Sequence, residues 1–341
     1  MELSSICHDN GRVVVLSDAA GEFTGGPIVT CNERMRSCLS LLESIAPTDL
    51  SIMIAGEPGG NKQDYAEYIH QLSARADKPY IRFDCAATQA SQYEEVLFGS
   101  VRMAPDGQRV RRGVLEEAEG GTVLLDGAST IPEAFCDRLL RSLESGTVVR
   151  RGQGEKTAVD VRVLATCGED LMTVLRKDRR LAMLIQQLSA VRVDVLPLRQ
   201  RKEDIALLTL HYLQDANERY GTDKCMGSAL FREMLAYSWP GNERELRSFI
   251  EQMVLISAGR VLDDPALMRS TARLTASLLP AWKKANMAAQ SGERSLKEQV
   301  SEYELMIIRR SISKYGSLRK AAKALQVDPS ILSRKLSAAK E

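Results

Sequence analysis

Four short, almost uninterrupted apolar runs set what this chain can fold into: Ile52-Met53-Ile54-Ala55, Tyr80-Ile81-Arg82-Phe83-Asp84, Thr122-Val123-Leu124-Leu125-Asp126 and Val161-Arg162-Val163-Leu164-Ala165-Thr166. Stretches with helical periodicity separate them. A strand that is apolar on both faces must be covered on both. Strands alternating with helices therefore predict a parallel sheet with helices above and below it, an α/β fold. With 341 residues, 44% of them hydrophobic, the chain can fill the cores of two or three domains.

The first run leads into Gly56-Glu57-Pro58-Gly59-Gly60-Asn61-Lys62-Gln63. A phosphate-binding loop reads Gly, four residues, Gly-Lys, then Ser or Thr, and joins a buried strand to a helix whose N-terminal N–H groups converge on a phosphate. Here Lys62 supplies the point charge. Asn61 stands where the last glycine is usual, and Asn is among the few side chains that tolerate left-handed torsions. Gly56, Gly59, Gly60, Asn61, Lys62 and Gln63 are the candidate nucleotide contacts. The alternative is an empty strand-to-helix turn. Asp126, acidic and at the carboxyl end of its strand, is the candidate Mg²⁺ residue.

Several classes are disfavoured. There is no run of about 18 apolar residues to span a bilayer. The segment Met1-Glu2-Leu3-Ser4-Ser5 lacks the basic and apolar parts of a secretion signal. A cytoplasmic location without membrane contact is expected. Seven cysteines without C-x-x-C spacing predict reduced, structural thiols, and three scattered histidines offer no metal cluster. Net charge is +1 but uneven: the last 47 residues carry 10 Lys/Arg against 5 Asp/Glu, net +5, and the preceding 294 carry 36 against 40, net −4. A basic module on a slightly acidic body is the distribution expected when one module meets nucleic acid.

Composition and periodicity divide the chain into an N-terminal extension (1–27), a nucleotide-binding-like α/β core (28–200), a wholly helical lid (201–260), a linker rich in Ala, Ser and Thr (261–294) and a helical C-terminal unit (295–341). Phe83-Asp84-Cys85-Ala86-Ala87, Leu97-Phe98-Gly99, Gly120-Gly121-Thr122-Val123-Leu124-Leu125-Asp126, Leu196-Pro197-Leu198-Arg199-Gln200-Arg201 and Trp239-Pro240-Gly241-Asn242-Glu243-Arg244 follow the loop in order. With it they make the stretch from Ile28 to Arg260 resemble the AAA+ domain of bacterial enhancer-binding activators of sigma-54 RNA polymerase. That resemblance implies a P-loop parallel sheet flanked by helices, an all-α lid, ATP or ADP with Mg²⁺ as the ligand, and a phosphate-reaching role for the lid residue Arg244.

The departures from that family point away from hydrolysis. Where its Mg²⁺-binding Asp is followed by a Glu that positions water, Asp126 is followed by Gly127. Cys167 takes the place of a phosphate-sensing Asn. Leu181 and Gln187 align with the arginine fingers that reach a neighbouring subunit's nucleotide. The motif GAFTGA, which touches the polymerase, is missing from the shorter loop Ser100 to Gly113, so direct sigma-54 contact is not expected. Arg102, Arg109, Arg111 and Arg112 make that loop basic.

In the C-terminal unit, Leu296, Val300, Tyr303 and Ile307 follow helical spacing. Ser317 is positioned to cap the short helix Leu318 to Leu325, in which Ala321 and Ala322 allow close packing. Gln326-Val327-Asp328 is the turn, and Pro329 opens a second helix. The arrangement resembles the Fis-type helix-turn-helix, whose second helix enters the major groove. Ser317, Ser330, Ser333, Arg334 and Lys335 are the candidate DNA contacts. The combined expectation is a DNA-binding transcription regulator with a degenerate AAA+ domain, assembling with itself as a dimer or higher oligomer. A subunit that tunes a homologous AAA+ activator, and a weakly active ATPase, are the alternatives. A helical dimerisation module is the alternative reading of the terminal unit.

Overall fold

The computed structural model describes residues 14–15, 28–104, 107–152, 154–168, 178–266 and 268, together with Ser317, Leu318, Lys320, Ala322, Pro329 and Leu336. The described chain forms two units. The first holds residues up to Arg201 plus Gly241–Arg244, and the second holds Lys202–Pro240 and the residues from Glu245 onward.

The first unit is built on five parallel strands: β1 (Ile52–Gly56), β2 (Tyr80–Asp84), β3 (Thr122–Asp126), β4 (Arg162–Cys167) and β5 (Val191–Val195). Their spatial order is β5-β1-β4-β3-β2. In register, Leu164 of β4 lies beside Ile52 and Leu124, and Asp84 of β2 lies beside Asp126. All four expected strands are present. The edge strand β5 was not anticipated; its alternating Val191, Val193 and Val195 carry a period-2 pattern interrupted by Arg192 and Asp194.

The apolar runs are two-sided because each strand feeds two cores. Met53, Ala55, Val123, Leu125, Val163 and Ala165 join one cluster with residues of α3 (Ala90–Phe98), α4 (Glu133–Ser145) and α5 (Arg179–Leu188). Ile52, Ile54, Leu124, Leu164, Val193 and Val195 join the other, with residues of α1 (Glu33–Ile45) and α2 (Lys62–Gln71). Each fully buried Leu or Ile contributes about 1.5–3 kcal/mol of transfer free energy. Asn32 starts α1 by accepting the Met35 N–H at 3.0 Å. At the other end of α1, the buried Arg162 guanidinium of β4 donates to the Ala46 carbonyl at 2.5 Å and to that of Ile45 at 3.4 Å, satisfying groups the helix leaves open.

The segment read as a basic loop is an antiparallel hairpin, Ser100–Ala104 with Gly107–Arg111. Its charge is partly neutralised: Arg102 and Arg111 both pair with Glu95 of α3, and hydrogen bonding from Arg102 is the leading reason the Glu95 carboxyl is held below its usual range.

The second unit is helical, with α6 (Lys202–Tyr220), α7 (Ser228–Ala236) and the greater part of α8 (Asn242–Ile256). Its core centres on fully buried Trp239, edge-on to Tyr237 and Phe249, with the indole N–H donating to the Met234 carbonyl at 2.8 Å. The unit runs on past residue 260: Val261–Leu262 pairs with Cys225–Met226, and Asp263 caps α7 by accepting the Ala229 N–H at 2.7 Å. In the terminal segment Leu318, Lys320, Ala322, Pro329 and Leu336 are helical, and Ala322 is fully buried. No helix among the described residues is long and apolar enough to cross a membrane.

Candidate nucleotide site and its neighbours

Ligands of parallel α/β sheets bind beyond the carboxyl ends of the strands. There, β1 runs into the glycine loop and β3 ends in Asp126, with β1 and β3 on either side of β4. Asn61 adopts φ 51° and ψ 38°, so the residue replacing the last glycine takes the left-handed torsion that this position requires. It stands immediately ahead of α2. Gly59 has φ +80° and lies so close to Gly241 that a Cβ would sit 2.0 Å from its carbonyl oxygen. Gly56 is also needed, since a Cβ there would lie 2.9 Å from the Val195 carbonyl oxygen of β5. The Lys62 ammonium donates to the carbonyls of Gly56 and Glu57, at 3.0 and 2.9 Å, and so caps the mouth of the loop.

The loop is braced by charges that the sequence did not mark as a site. Glu57 is buried and receives a bidentate pair from Arg199, at 2.7 and 2.9 Å. It also accepts from the Asn242 amide at 3.1 Å, while that amide donates to the Pro58 carbonyl and its oxygen accepts the Leu198 N–H. Glu243 pairs with fully buried Arg201 at 2.6 Å and accepts from the Asn61 amide at 3.1 Å. Arg244, expected to reach phosphates, is exposed; its backbone N–H donates to the Gly59 carbonyl, and its guanidinium makes no ion pair among the described residues.

Asp126 is the most heavily engaged group. One oxygen accepts from the Thr166 hydroxyl at 2.6 Å; the other accepts from the Gln63 amide at 2.9 Å and from the Nε and Nη2 of Arg82 at 2.9 and 2.5 Å. Burial pushes its pKa up, but the hydrogen bonds from Gln63 and Thr166 and the Arg82 charge outweigh burial and leave the carboxyl below its ordinary value. Gly127, next along, has φ 77° and ψ 41°, and its N–H donates to the Thr166 hydroxyl. No carboxylate follows Asp126 to hold a water. Cys167 does not face this site as the sequence suggested: its side chain is buried in the core cluster that contains Ala55 and Ala165, and burial pushes its thiol pKa up. A strand alternates its faces, so neighbouring Thr166, not Cys167, reaches Asp126. Leu181 is likewise in the core, whereas Gln187 is exposed. Arg82 is the residue that sequence reasoning missed. It interrupts an otherwise apolar run, and a charge in the middle of such a strand was the available clue.

Three family descriptions match the chain in succession: a sigma-54 interaction domain over residues 28–194, a AAA+ ATPase lid domain over 199–279 and a helix-turn-helix domain over 293–337. The chain belongs to the sigma-54 interaction domain family of AAA+ proteins. Among its relatives, the transcriptional regulatory protein FlbD of Caulobacter vibrioides is 32% identical over 287 residues, 83% of this chain and 63% of that protein. The anaerobic nitric oxide reductase transcription regulator NorR of Salmonella paratyphi C is 34% identical over 297 residues, 86% of this chain and 59% of that protein. The chain thus spans under two thirds of either relative. The crystal structure of NtrX from Brucella abortus in complex with ATP is similar with a TM-score of 0.66 and 27% identity, over 94% of this chain and 69% of that one.

Within this family the helix-turn-helix expectation falls largely outside the described residues, as do Ser330, Ser333, Arg334 and Lys335. Ser317 is described: its hydroxyl accepts the Lys320 N–H at 3.3 Å, the bond of a helix cap. Among the described residues no group of His, Cys, Asp and Glu is arranged to hold a metal ion, and their cysteines are free thiols.

Proposed function

We propose that this chain is a bacterial DNA-binding transcription regulator whose AAA+ unit binds ATP or ADP without hydrolysing it. The observation that carries the reading is the left-handed glycine after Asp126: Gly127 has no side chain to orient water, and Asp126 is already committed to Arg82, Gln63 and Thr166. The glycine loop, Lys62 and the exposed Arg244 supply what phosphate binding needs. In this reading the nucleotide serves as a structural ligand or switch, and the protein works in the cytoplasm by occupying a DNA site as a dimer or larger assembly. It does so without remodelling sigma-54 polymerase, because a basic hairpin stands where the polymerase-touching motif would be.

Phosphate release by purified protein tests the enzymatic half. Turnover by the wild type is expected to equal that of Lys62→Ala, while fluorescent ATP binds the wild type and binds Lys62→Ala at least about tenfold more weakly, the loss of one charge-assisted contact. Turnover that exceeds the Lys62→Ala background would overturn the non-hydrolysing reading.

Selection of bound sequences from a randomised duplex pool at about 0.15 M salt tests the other half. An inverted repeat is expected, with half-sites about 34 Å apart. We assign base or phosphate contacts to Ser317, Ser330, Ser333, Arg334 and Lys335; Arg334→Ala is expected to weaken binding by about 1–3 kcal/mol. A pool that shows no enrichment would favour the subunit that tunes a homologous AAA+ activator.

A further inference from the structure

We propose that Arg82 is the built-in cation of this site, a phosphate-binding residue that stands where the family's nucleotides carry Mg²⁺. The inference rests on the nucleotide-binding reading above and concerns how charge is balanced there. Mg²⁺ demands oxygen ligands in near-octahedral geometry. Neither protein group available to it fits. Asp126 already accepts on both oxygens, from Thr166 on one and from Gln63 and the Arg82 guanidinium on the other. Gln63, where the loop pattern has a Ser or Thr hydroxyl, turns an amide N–H toward Asp126, and an N–H group is no ligand for a hard cation. A divalent ion bound at Asp126 would also sit against the guanidinium, cation beside cation.

Arg82 has the position and the chemistry to replace it. It lies two residues before Asp84, which is in register with Asp126, so its side chain reaches along β2 to the carboxyl end of the sheet, where the glycine loop opens. Nε and Nη2 are used on Asp126, and Nη1 has no partner among the described residues. The side chain is half exposed, against 12% for Asp126, so the pair presents the positive partner outward. Asp126 anchors the guanidinium, whose planar fork matches phosphate oxygens bidentately. Because Arg stays charged at every accessible pH, this cation needs no free metal and cannot dissociate.

Binding of a fluorescent ATP analogue to the full chain, in Mg²⁺ and in EDTA, tests this with wild type, Arg82→Ala and Arg82→Lys. Wild-type affinity should change by less than about twofold between the two buffers, and Arg82→Ala should lose about tenfold in EDTA and regain it when Mg²⁺ is added. Arg82→Lys, which keeps the charge, should stay indifferent to Mg²⁺ and so show that the alanine result is not misfolding. A wild type that weakens about tenfold on chelation, or an Arg82→Ala that matches it in EDTA, overturns the inference and leaves the nucleotide reading standing. No binding by the wild type in either buffer removes the nucleotide reading, and this inference falls with it.

Discussion

Arg201→Ala is expected to cost about 3–5 kcal/mol of stability, the range seen when one partner of a buried ion pair is removed. Arg201 is fully buried, donating from Nη2 to Glu243 at 2.6 Å and from Nε to the Leu196 carbonyl at 3.0 Å. Without it, Glu243 keeps an accepted bond from Asn61 but loses its counter-charge inside the protein. The remaining carboxylate must take up a proton or draw in water, and either course disturbs the turn that carries Asn61 into α2. Urea unfolding followed by tryptophan fluorescence and far-ultraviolet dichroism measures it. A loss under about 1 kcal/mol would mean that Glu243 is solvated rather than buried. Replacing both partners by Met should recover much of the loss, because the desolvation cost leaves with the pair. Nucleotide affinity should fall in that double variant, because only there does Asn61 lose the Glu243 acceptor.

The second large effect separates two adjacent glycines. Gly59→Ala is expected to destabilise by about 3 kcal/mol or more, with nucleotide binding lost, since strained torsion and a backbone clash act together. Its φ is +80°, and the new Cβ would stand 2.0 Å from a backbone oxygen, so Gly241 or the loop must move. Gly60→Ala is expected to change stability by less than about 1 kcal/mol: its φ is not positive, and its Cβ would lie 3.4 Å from the Glu57 carbonyl oxygen and 3.7 Å from Val195. Thermal unfolding of the two variants side by side is the measurement. Equal losses would show that the close approach of Gly241 to the loop does not hold in solution.

These contrasts show where sequence reasoning reached and where it stopped. Asn61 was legible because its torsion is a local matter: a loop pattern demands a left-handed residue, and Asn is one of the few side chains that supply it. Ser317 was legible for the same reason, since a cap bonds three residues onward. The four apolar runs announced a two-faced sheet because burial on both sides leaves no polar alternation. By contrast, the sequence offered Asp126 as a candidate Mg²⁺ residue without showing its partners. Those partners are Gln63, 63 residues away, Arg82, 44 away, and Thr166, 40 away. Glu243 and Asp263 were equally silent, the first meeting Asn61 across 182 residues and the second capping a helix 34 residues earlier.

The sequence by itself therefore determined the elements of this protein: alternating strands and helices, a glycine loop at the end of the first core strand, and helical lid and terminal units, all written in periodicity and in residues whose conformational preferences act within a few positions. It also removed the carboxylate after Asp126, since a missing side chain needs no structure to be seen. Only the tertiary structure decided which glycine is irreplaceable, that Cys167 turns into the core while Thr166 turns to the site, and that a guanidinium holds Asp126. Strand register and the direction of each side chain fix those outcomes, and both are set by packing between segments far apart in the chain.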